Sequence, residues 1–235
     1  MKLTRREALV ATTALSVVGV ARAEDAGDGI GGVEDIVNYA WSTIAPDPRD
    51  EIELEDDVYL NEVVETGDES ALIVKFSDGS KLTLGENAKI VIDSYVFNPA
   101  SSTGEQAVTL TKGAFRFVSG ALPKASVKIT TPAVTIGIRG TELIFDVAED
   151  GETEMSTIAG EADVTDGSGE TLTVRIDESI VADKNRRFRG RVRKRRHVSR
   201  SIAIAEGLAG ARKRWRIRKP ARRRAVRRRR KRRAN

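Results

Sequence analysis

The stretch that decides the fold is ITTPAVTIGIRGTELIFDVAEDGETEMSTIAGEADVTD, residues 129–166. Apolar residues recur at every second position over 134–138 and again over 143–147. A period of two places successive side chains on opposite faces of an extended chain, so each run predicts a strand with one face towards a core. Asp150 and Gly151 follow the second run, and an Asp-Gly pair in this position is typical of a tight turn. The stretch therefore predicts short strands joined by turns.

The same pattern continues on both sides of this stretch. Alternating apolar residues occupy 72–76, 115–117 and 172–176, and further Asp-Gly pairs lie at 78–79 and 166–167. We predict an all-β domain over residues 51–184, and short strands at this spacing favour a β-sandwich, a jelly-roll or a rolled β-helical stack. The alternation leaves these three architectures open.

Residues 24–50 show a different spacing. Val33, Ile36, Val37 and Ala40 lie at helical intervals. This spacing predicts one short helix within an N-terminal linker that leads into the first strand.

Residues 1–23 have the organisation of an export signal. A basic start that includes Arg5 and Arg6 precedes an apolar run of 13 residues, which is shorter than the roughly 20 that span a bilayer as a helix. Ala21 and Ala23 form an A-x-A cleavage site, and the arginine pair resembles a twin-arginine signal. We expect a periplasmic or otherwise exported protein whose mature chain has no transmembrane span.

The charges are segregated along the chain. Residues 24–184 carry 33 acidic and 11 basic side chains, whereas residues 185–235 carry 25 Lys and Arg and a single acid. Like charges at this density oppose compaction, so we predict that the Arg-rich tail over 185–235 is largely disordered or partly helical.

The tail predicts binding to an anionic surface or polymer through counterion release, with Phe188 and Trp215 as stacking residues. The arginines expected to make this contact are Arg212, Arg214, Arg216, Arg227, Arg228, Arg229 and Arg230. One alternative is that the tail folds back on the acidic domain, because opposite charges attract at short range.

The sequence offers few groups for catalysis. It contains no cysteine, and its one histidine, His197, lies in the basic tail. The densest acidic runs, 55–57 and 166–170, lack the twelve-residue pattern of a Ca²⁺ loop. We expect no enzyme, no metal site and no cofactor. Two other functions stay open: nucleic-acid binding through the Arg-rich tail, and a hydrolase that uses surface carboxylates.

Three stretches resemble the FecR domain family, and together they cover about residues 51–180. The first contains Thr66, Gly67 and Asp68 before one strand, and Asp78, Gly79 and Ser80 before the next. The second is VTLTKGAFRFVSG at 108–120, and the third contains Arg139, Gly140 and Thr141 between two strands.

The resemblance implies an extracytoplasmic sensing or interaction domain that binds an envelope protein and has no catalytic residues. In the namesake proteins such a domain passes a signal through a membrane helix to a sigma factor. The apolar segment here looks cleavable and no domain precedes it, so we do not expect sigma-factor control. We expect the motif residues to build turns and strand ends rather than to bind a ligand.

Replacing Arg5 and Arg6 together by lysine tests the export route. The precursor should accumulate inside the cell, because lysines keep the charge but remove the arginine pair that the signal presents. Cell fractionation with N-terminal sequencing checks this, and the wild-type protein should begin at Glu24 in the envelope fraction. Lys2→Arg is the control that should leave export unchanged. Normal export of the double variant would contradict the twin-arginine route.

Overall fold

The computed structural model describes residues 29–140 and 142–194. Within these ranges the chain is almost entirely β-structure, with one short 3-10 helix at Lys124–Ser126. In chain order the strands are β1 (Gly31–Val37), β2 (Ala40–Thr43), β3 (Asp50–Glu51), β4 (Asp57–Val58), β5 (Val63–Thr66), β6 (Ala71–Phe76), β7 (Lys81–Leu84), β8 (Lys89–Asn98), β9 (Thr103–Val118), β10 (Val127–Thr130), β11 (Val134–Ile138), β12 (Glu142–Val147), β13 (Thr153–Ala159), β14 (Glu161–Asp166), β15 (Thr171–Arg175), β16 (Glu178–Ala182) and β17 (Arg193–Lys194). The all-β prediction is confirmed.

The strands form two sheets that share β9. The first sheet has the order β4-β1-β6-β7-β9-β12-β13-β16-β17. The second sheet has the order β3-β2-β5-β8-β9-β10-β11-β14-β15. These described pairs are antiparallel except for β9 and β10, which run parallel. Successive hairpins alternate between the sheets, so the chain rolls up as it proceeds.

One hydrophobic core lies between the two sheets. The first sheet contributes Phe76, Phe115 and Phe145, and the second contributes Ile90 and Ile136, all of them buried. Each such side chain stabilises the fold by about 1.5–3 kcal/mol through its removal from water. Because β9 belongs to both sheets, the seventeen described strands are connected in one continuous sheet, and residues from both halves of it meet in this core.

The alternation of apolar residues agrees with the burial along the predicted strands, with one exception. Leu72, Val74 and Phe76 of β6 all lie in the core. Val174 of β15 is buried as well, but Ile176 is 58% exposed. Ile176 follows the last residue of β15, where the chain turns, so the alternation of the strand no longer determines its direction.

The helix predicted within residues 24–50 is wrong, because this segment forms β1 and β2. A β-bulge between Val33 and Asp35 shifts the register of β1 against β6. The bulge adds one residue, so Val33 and Ile36 both contact the core although they are three positions apart. A bulged strand thus reproduces the apolar interval of a helix. No helix in the described part of the chain is long and apolar enough to cross a membrane.

The passage of β9 from one sheet to the other occurs at Gly113. Lys112 still pairs with β8 in the second sheet, whereas Gly113 pairs with β12 in the first. Gly113 has a φ of 110°, and an added Cβ would lie 2.5 Å from Cα of Ala88. Both the backbone conformation and the close approach therefore require glycine at this position.

Gly113→Ala should destabilise the domain markedly. The unfavourable φ alone costs about 1–2 kcal/mol, and the contact with Ala88 adds to this because backbone must move. Urea denaturation compares the variant with Gly169→Ala, since Gly169 also has a positive φ, 88°, but nothing within 4 Å of the added Cβ. The control should lose only the backbone contribution. Equal losses in the two variants would show that the crossing tolerates a side chain.

Candidate functional site

The Asp78-Gly79-Ser80 motif forms the turn between β6 and β7 and buries its polar side chains. The Asp78 carboxylate accepts hydrogen bonds from Ser80 Oγ at 2.6 Å and from the Tyr95 hydroxyl at 3.3 Å. The backbone N–H of Leu122 donates to the other carboxylate oxygen at 3.4 Å. The turn therefore connects the first sheet to β8 of the second sheet and to the segment after β9.

Tyr95 completes this network from β8. Its hydroxyl oxygen accepts the backbone N–H of Asp78 at 2.7 Å, and its ring stacks on Phe76 with 5.5 Å between the centroids. Burial raises the pKa of Tyr95 from 10.0 to about 12, and the negative charge of Asp78 acts in the same direction. Because the folded pKa lies above the unfolded one, this contribution to stability is lost as pH rises from 10 through 12.

The Thr66-Gly67-Asp68 motif ties the end of β5 to the turn between β7 and β8. Thr66 is buried, and its Oγ1 donates to the carbonyl of Gly85 at 2.6 Å while it accepts the N–H of Ala88 at 2.9 Å. Asp68 Oδ1 accepts a hydrogen bond from Asn87 Nδ2 at 2.7 Å. These bonds satisfy backbone groups where two strands end.

Arg139 and Gly140 lie at the end of β11. The Arg139 guanidinium forms an ion pair with Asp163 at 2.6 Å and a longer one with Glu161 at 3.7 Å. The arginine side chain is 60% exposed, so these pairs contribute at most about 1 kcal/mol. Gly140 has a φ of 76°, and a Cβ there would collide with the side chain of Lys124. Like the other motif residues, this pair contacts neighbouring parts of the fold.

The dense acidic runs at 55–57 and 166–170 do not form a metal cluster. Within the ranges that the structure describes, no group of three or more His, Cys, Asp or Glu could hold a metal ion. The Asp166 carboxylate instead accepts hydrogen bonds from Ser168 Oγ at 2.5 Å and from the N–H of Phe188 at 3.3 Å. These donors, chiefly the Ser168 hydroxyl, lower the pKa of Asp166. Asp166 therefore stabilises its own turn.

The beginning of the basic tail is folded onto the domain. The N–H of Gly167 donates to the carbonyl of Arg186 at 2.8 Å, and the N–H of Arg189 donates to that of Val181 at 2.7 Å. The Arg189 guanidinium also pairs with Glu152 at 2.7 Å, and β17 adds a strand to the first sheet. The prediction of a largely disordered tail is therefore wrong for residues 185–194.

Phe188 is not an exposed stacking residue. Its side chain is partly buried and packs against the hydrophobic core, which removes it from contact with an external polymer. The other residues predicted for export, for the third motif or for anion binding lie outside the described residues: Arg5, Arg6, Ala21, Ala23, Thr141, Arg212, Arg214, Trp215, Arg216, Arg227, Arg228, Arg229 and Arg230.

A group of side chains at β2 and β3 of the second sheet, which we call the aromatic patch, consists of the half-buried Trp41 and the exposed residues Tyr39 and Arg49. The Tyr39 and Trp41 rings are nearly parallel, at 16°, with 6.2 Å between their centroids. The Arg49 guanidinium carbon lies 4.0 Å from the centroid of the Trp41 ring, a cation–π contact. Trp41 pairs across the strands with Glu51 on one side and Glu65 on the other. Aromatic rings, a cation and carboxylates thus meet on one face.

The Thr66-Gly67-Asp68 turn positions this patch. The N–H of Gly67 donates to the carbonyl of Tyr39 at 3.0 Å, and a Cβ on Gly67 would lie 3.1 Å from the Trp41 ring. Reasoning from the sequence missed the patch because it read this segment as a helix, in which residues two apart point in different directions. Tyr39 directly precedes β2, and its ring stacks on that of Trp41 two residues further along; the two-residue spacing of an extended chain was the available signal.

Fold and contacts together define a β domain with a partly exposed patch of the residue types that binding surfaces favour. Residues 62–163 match the family model described as FecR protein. The resemblance to the FecR domain family seen in the sequence is therefore confirmed over residues 62–163. This range contains all three motifs.

Two crystal structures of a candidate anti-sigma factor from Parabacteroides distasonis are similar to this chain. Each has 14% sequence identity and a TM-score of 0.44, and the alignment covers 60% of this chain. The chain spans 62% of the length of that protein, which is less than two thirds. No curated protein matches the chain significantly.

Tyr95→Phe should destabilise the domain at neutral pH and flatten its alkaline transition. The variant leaves the buried N–H of Asp78 without its acceptor, which costs about 1–3 kcal/mol. It also removes the group whose pKa is raised, so the fall in stability between pH 10 and 12 should become shallower. Urea denaturation at pH 7, 10 and 11.5 measures both effects. Tyr39→Phe is the matched control, and an unaltered alkaline slope in Tyr95→Phe would contradict the assignment.

Proposed function

We propose that this protein is an exported, non-enzymatic sensing or interaction domain that acts in the cell envelope, and that its Arg-rich segment binds an anionic surface or polymer. The match of residues 62–163 to the FecR family supports the sensing role and an envelope protein as partner. The signal-like organisation of residues 1–23 supports export. The motif residues contribute to the fold through their turns, and binding falls to other parts of the surface.

The way in which the basic segment joins the domain supports the proposed binding to an anionic surface or polymer. β17 pairs with β16 at the edge of the first sheet, and Phe188 and Val192 pack against the core. Arg195 and Arg196 follow Lys194 directly in the sequence, so a surface that binds these two arginines also holds the domain close to itself.

The chemistry of the segment favours a polyanion over a neutral surface. Each basic residue near an anionic membrane contributes about 1 kcal/mol of attraction, which falls off within a Debye length. With 25 Lys and Arg over 185–235, the sum of many weak attractions is large at low salt. The same physics makes the binding strongly dependent on salt, because each neutralised anion releases its counterion.

Deleting residues 195–235 should abolish binding to anionic vesicles and leave the β-structure intact. Co-sedimentation with vesicles of phosphatidylglycerol and phosphatidylcholine measures the binding, and vesicles of phosphatidylcholine alone are the control. Binding of the full chain should weaken at least tenfold between 50 and 500 mM salt. Unchanged binding of the shortened protein would exclude the segment as the contact.

A longer deletion, of residues 185–235, provides the structural comparison. It also removes the strand pairing of β17 and the packing of Phe188, so its free energy of unfolding should be lower than that of the shorter deletion by about 2 kcal/mol or more. Circular dichroism and urea denaturation of both variants measure this. Equal stability of the two would show that residues 185–194 contribute nothing to the fold.

A further inference from the structure

The aromatic patch already binds one guanidinium group. Arg49 stacks on the ring of Trp41 at 4.0 Å, and its Nε lies 3.5 Å from Glu65 Oε2. An aromatic face and a carboxylate thus hold one planar cation together. Guanidinium groups suit such a site better than ammonium groups, because they are planar and more weakly hydrated.

The patch has room for a second guanidinium beside the first. Tyr39 is 59% exposed, and its ring stacks on that of Trp41 at 16°, so the face of Tyr39 that points away from Trp41 is open. Glu51 lies across the strands from Trp41 on the side away from Glu65. An arginine that stacks on Tyr39 would therefore find an open aromatic face with a carboxylate on the neighbouring strand.

We infer that the aromatic patch is a binding site for arginine side chains, and that its occupant is the segment 195–235 of the same chain. Charge complementarity supports this occupant, since residues 24–184 carry three times as many acids as bases. The segment has 19 basic residues against one acid, and 16 of the 19 are arginine. The preference for arginine over lysine is the one that an aromatic surface requires.

The segment is long enough to reach the patch. The segment begins after Lys194, at the end of β17 on one edge of the first sheet. In that sheet β17 lies seven strand spacings from β1, and β1 is followed directly by β2, where the patch lies. Seven spacings of about 4.8 Å place the two ends roughly 34 Å apart. Forty-one residues span up to roughly 140 Å when extended. A tethered ligand also meets its site at an effective concentration in the millimolar range, which favours the segment of the same chain over a second copy.

Occupation of the aromatic patch by residues 195–235 couples the exposure of the patch to the binding of an external polyanion. Arginines that lie on Tyr39 are unavailable to an external polyanion, and a polyanion that binds them uncovers the patch. By linkage, each event disfavours the other to the same extent. A polyanion thereby exposes Tyr39 and Trp41 to a further partner.

Fluorescence quenching of Trp41 tests this inference on the full chain. The protein has two tryptophans, so Trp215→Phe leaves Trp41 as the only reporter. Acrylamide should quench Trp41 weakly in the free protein, and addition of inorganic polyphosphate should raise the quenching constant at least twofold. Deletion of residues 195–235, which also leaves Trp41 as the only tryptophan, should show the raised constant without polyphosphate, whereas Ile176→Ala, at an exposed apolar position, should behave like the parent.

A charge-conserving variant separates stacking from charge. Lysine replaces all 16 arginines of residues 195–235. This variant should still bind polyphosphate, but its Trp41 should be quenched strongly from the start. Strong protection of Trp41 in the lysine variant would show diffuse charge attraction and overturn the stacking site.

The remaining outcomes distinguish this inference from the proposed function. Absence of polyphosphate binding, measured by calorimetry, would contradict the proposed function. Polyphosphate binding that leaves the quenching of Trp41 unchanged would overturn only the occupation of the patch. A third result is protection of Trp41 from acrylamide that rises with protein concentration and is accompanied by dimers in sedimentation velocity. That result would overturn the assignment to the same chain and identify a second copy as the occupant.

Discussion

The structure depends on the crossing of β9 from one sheet to the other at Gly113. Up to Lys112 the strand lies between β8 and β10, and beyond it the strand lies between β7 and β12. Both sheets are therefore built outward from a single central strand, and their inner faces must enclose one core. The close approach of Ala88 leaves room only for a hydrogen atom at this point. A glycine without any side-chain contact of its own thus determines how the two layers are related.

The family motifs secure the two layers away from this crossing. Asp78 and Ser80 bury a polar turn that receives Tyr95 from the opposite sheet, and Thr66 satisfies backbone groups at the ends of two strands. A buried carboxylate or hydroxyl is tolerated only when its hydrogen bonds are complete, so each motif specifies one arrangement of its neighbours. The same turns shape the surface, since the contact between Gly67 and the Trp41 ring places the aromatic patch. The stability of the turn and the position of the aromatic patch are thereby connected through backbone geometry rather than through shared side chains.

Charge segregation gives the protein a second level of organisation. An acidic domain and an arginine-rich segment on one chain attract each other, and the structure shows the beginning of that contact in the ion pair between Arg189 and Glu152. Residues 185–194 become part of the first sheet because Phe188 can bury apolar surface and β17 can complete its hydrogen bonds. Apolar packing thus fixes residues 185–194 to the first sheet, whereas the positive charge of the segment attracts carboxylates such as that of Glu152.

Local periodicity and turn chemistry were sufficient to predict the all-β class, the strands around 134–138 and 143–147, and the family motifs. These features depend on neighbouring residues, and Asp-Gly turns and alternation are visible in the sequence itself. The bulge at Val33 was not predictable, because its register is set by β6, about forty residues further along the chain. The same holds for the aromatic patch and for Phe188, whose surroundings come from distant strands. The sequence by itself determined which segments are extended and where charge accumulates; only the tertiary structure decided which strands are neighbours, since that depends on long-range pairing and on the packing of one shared core.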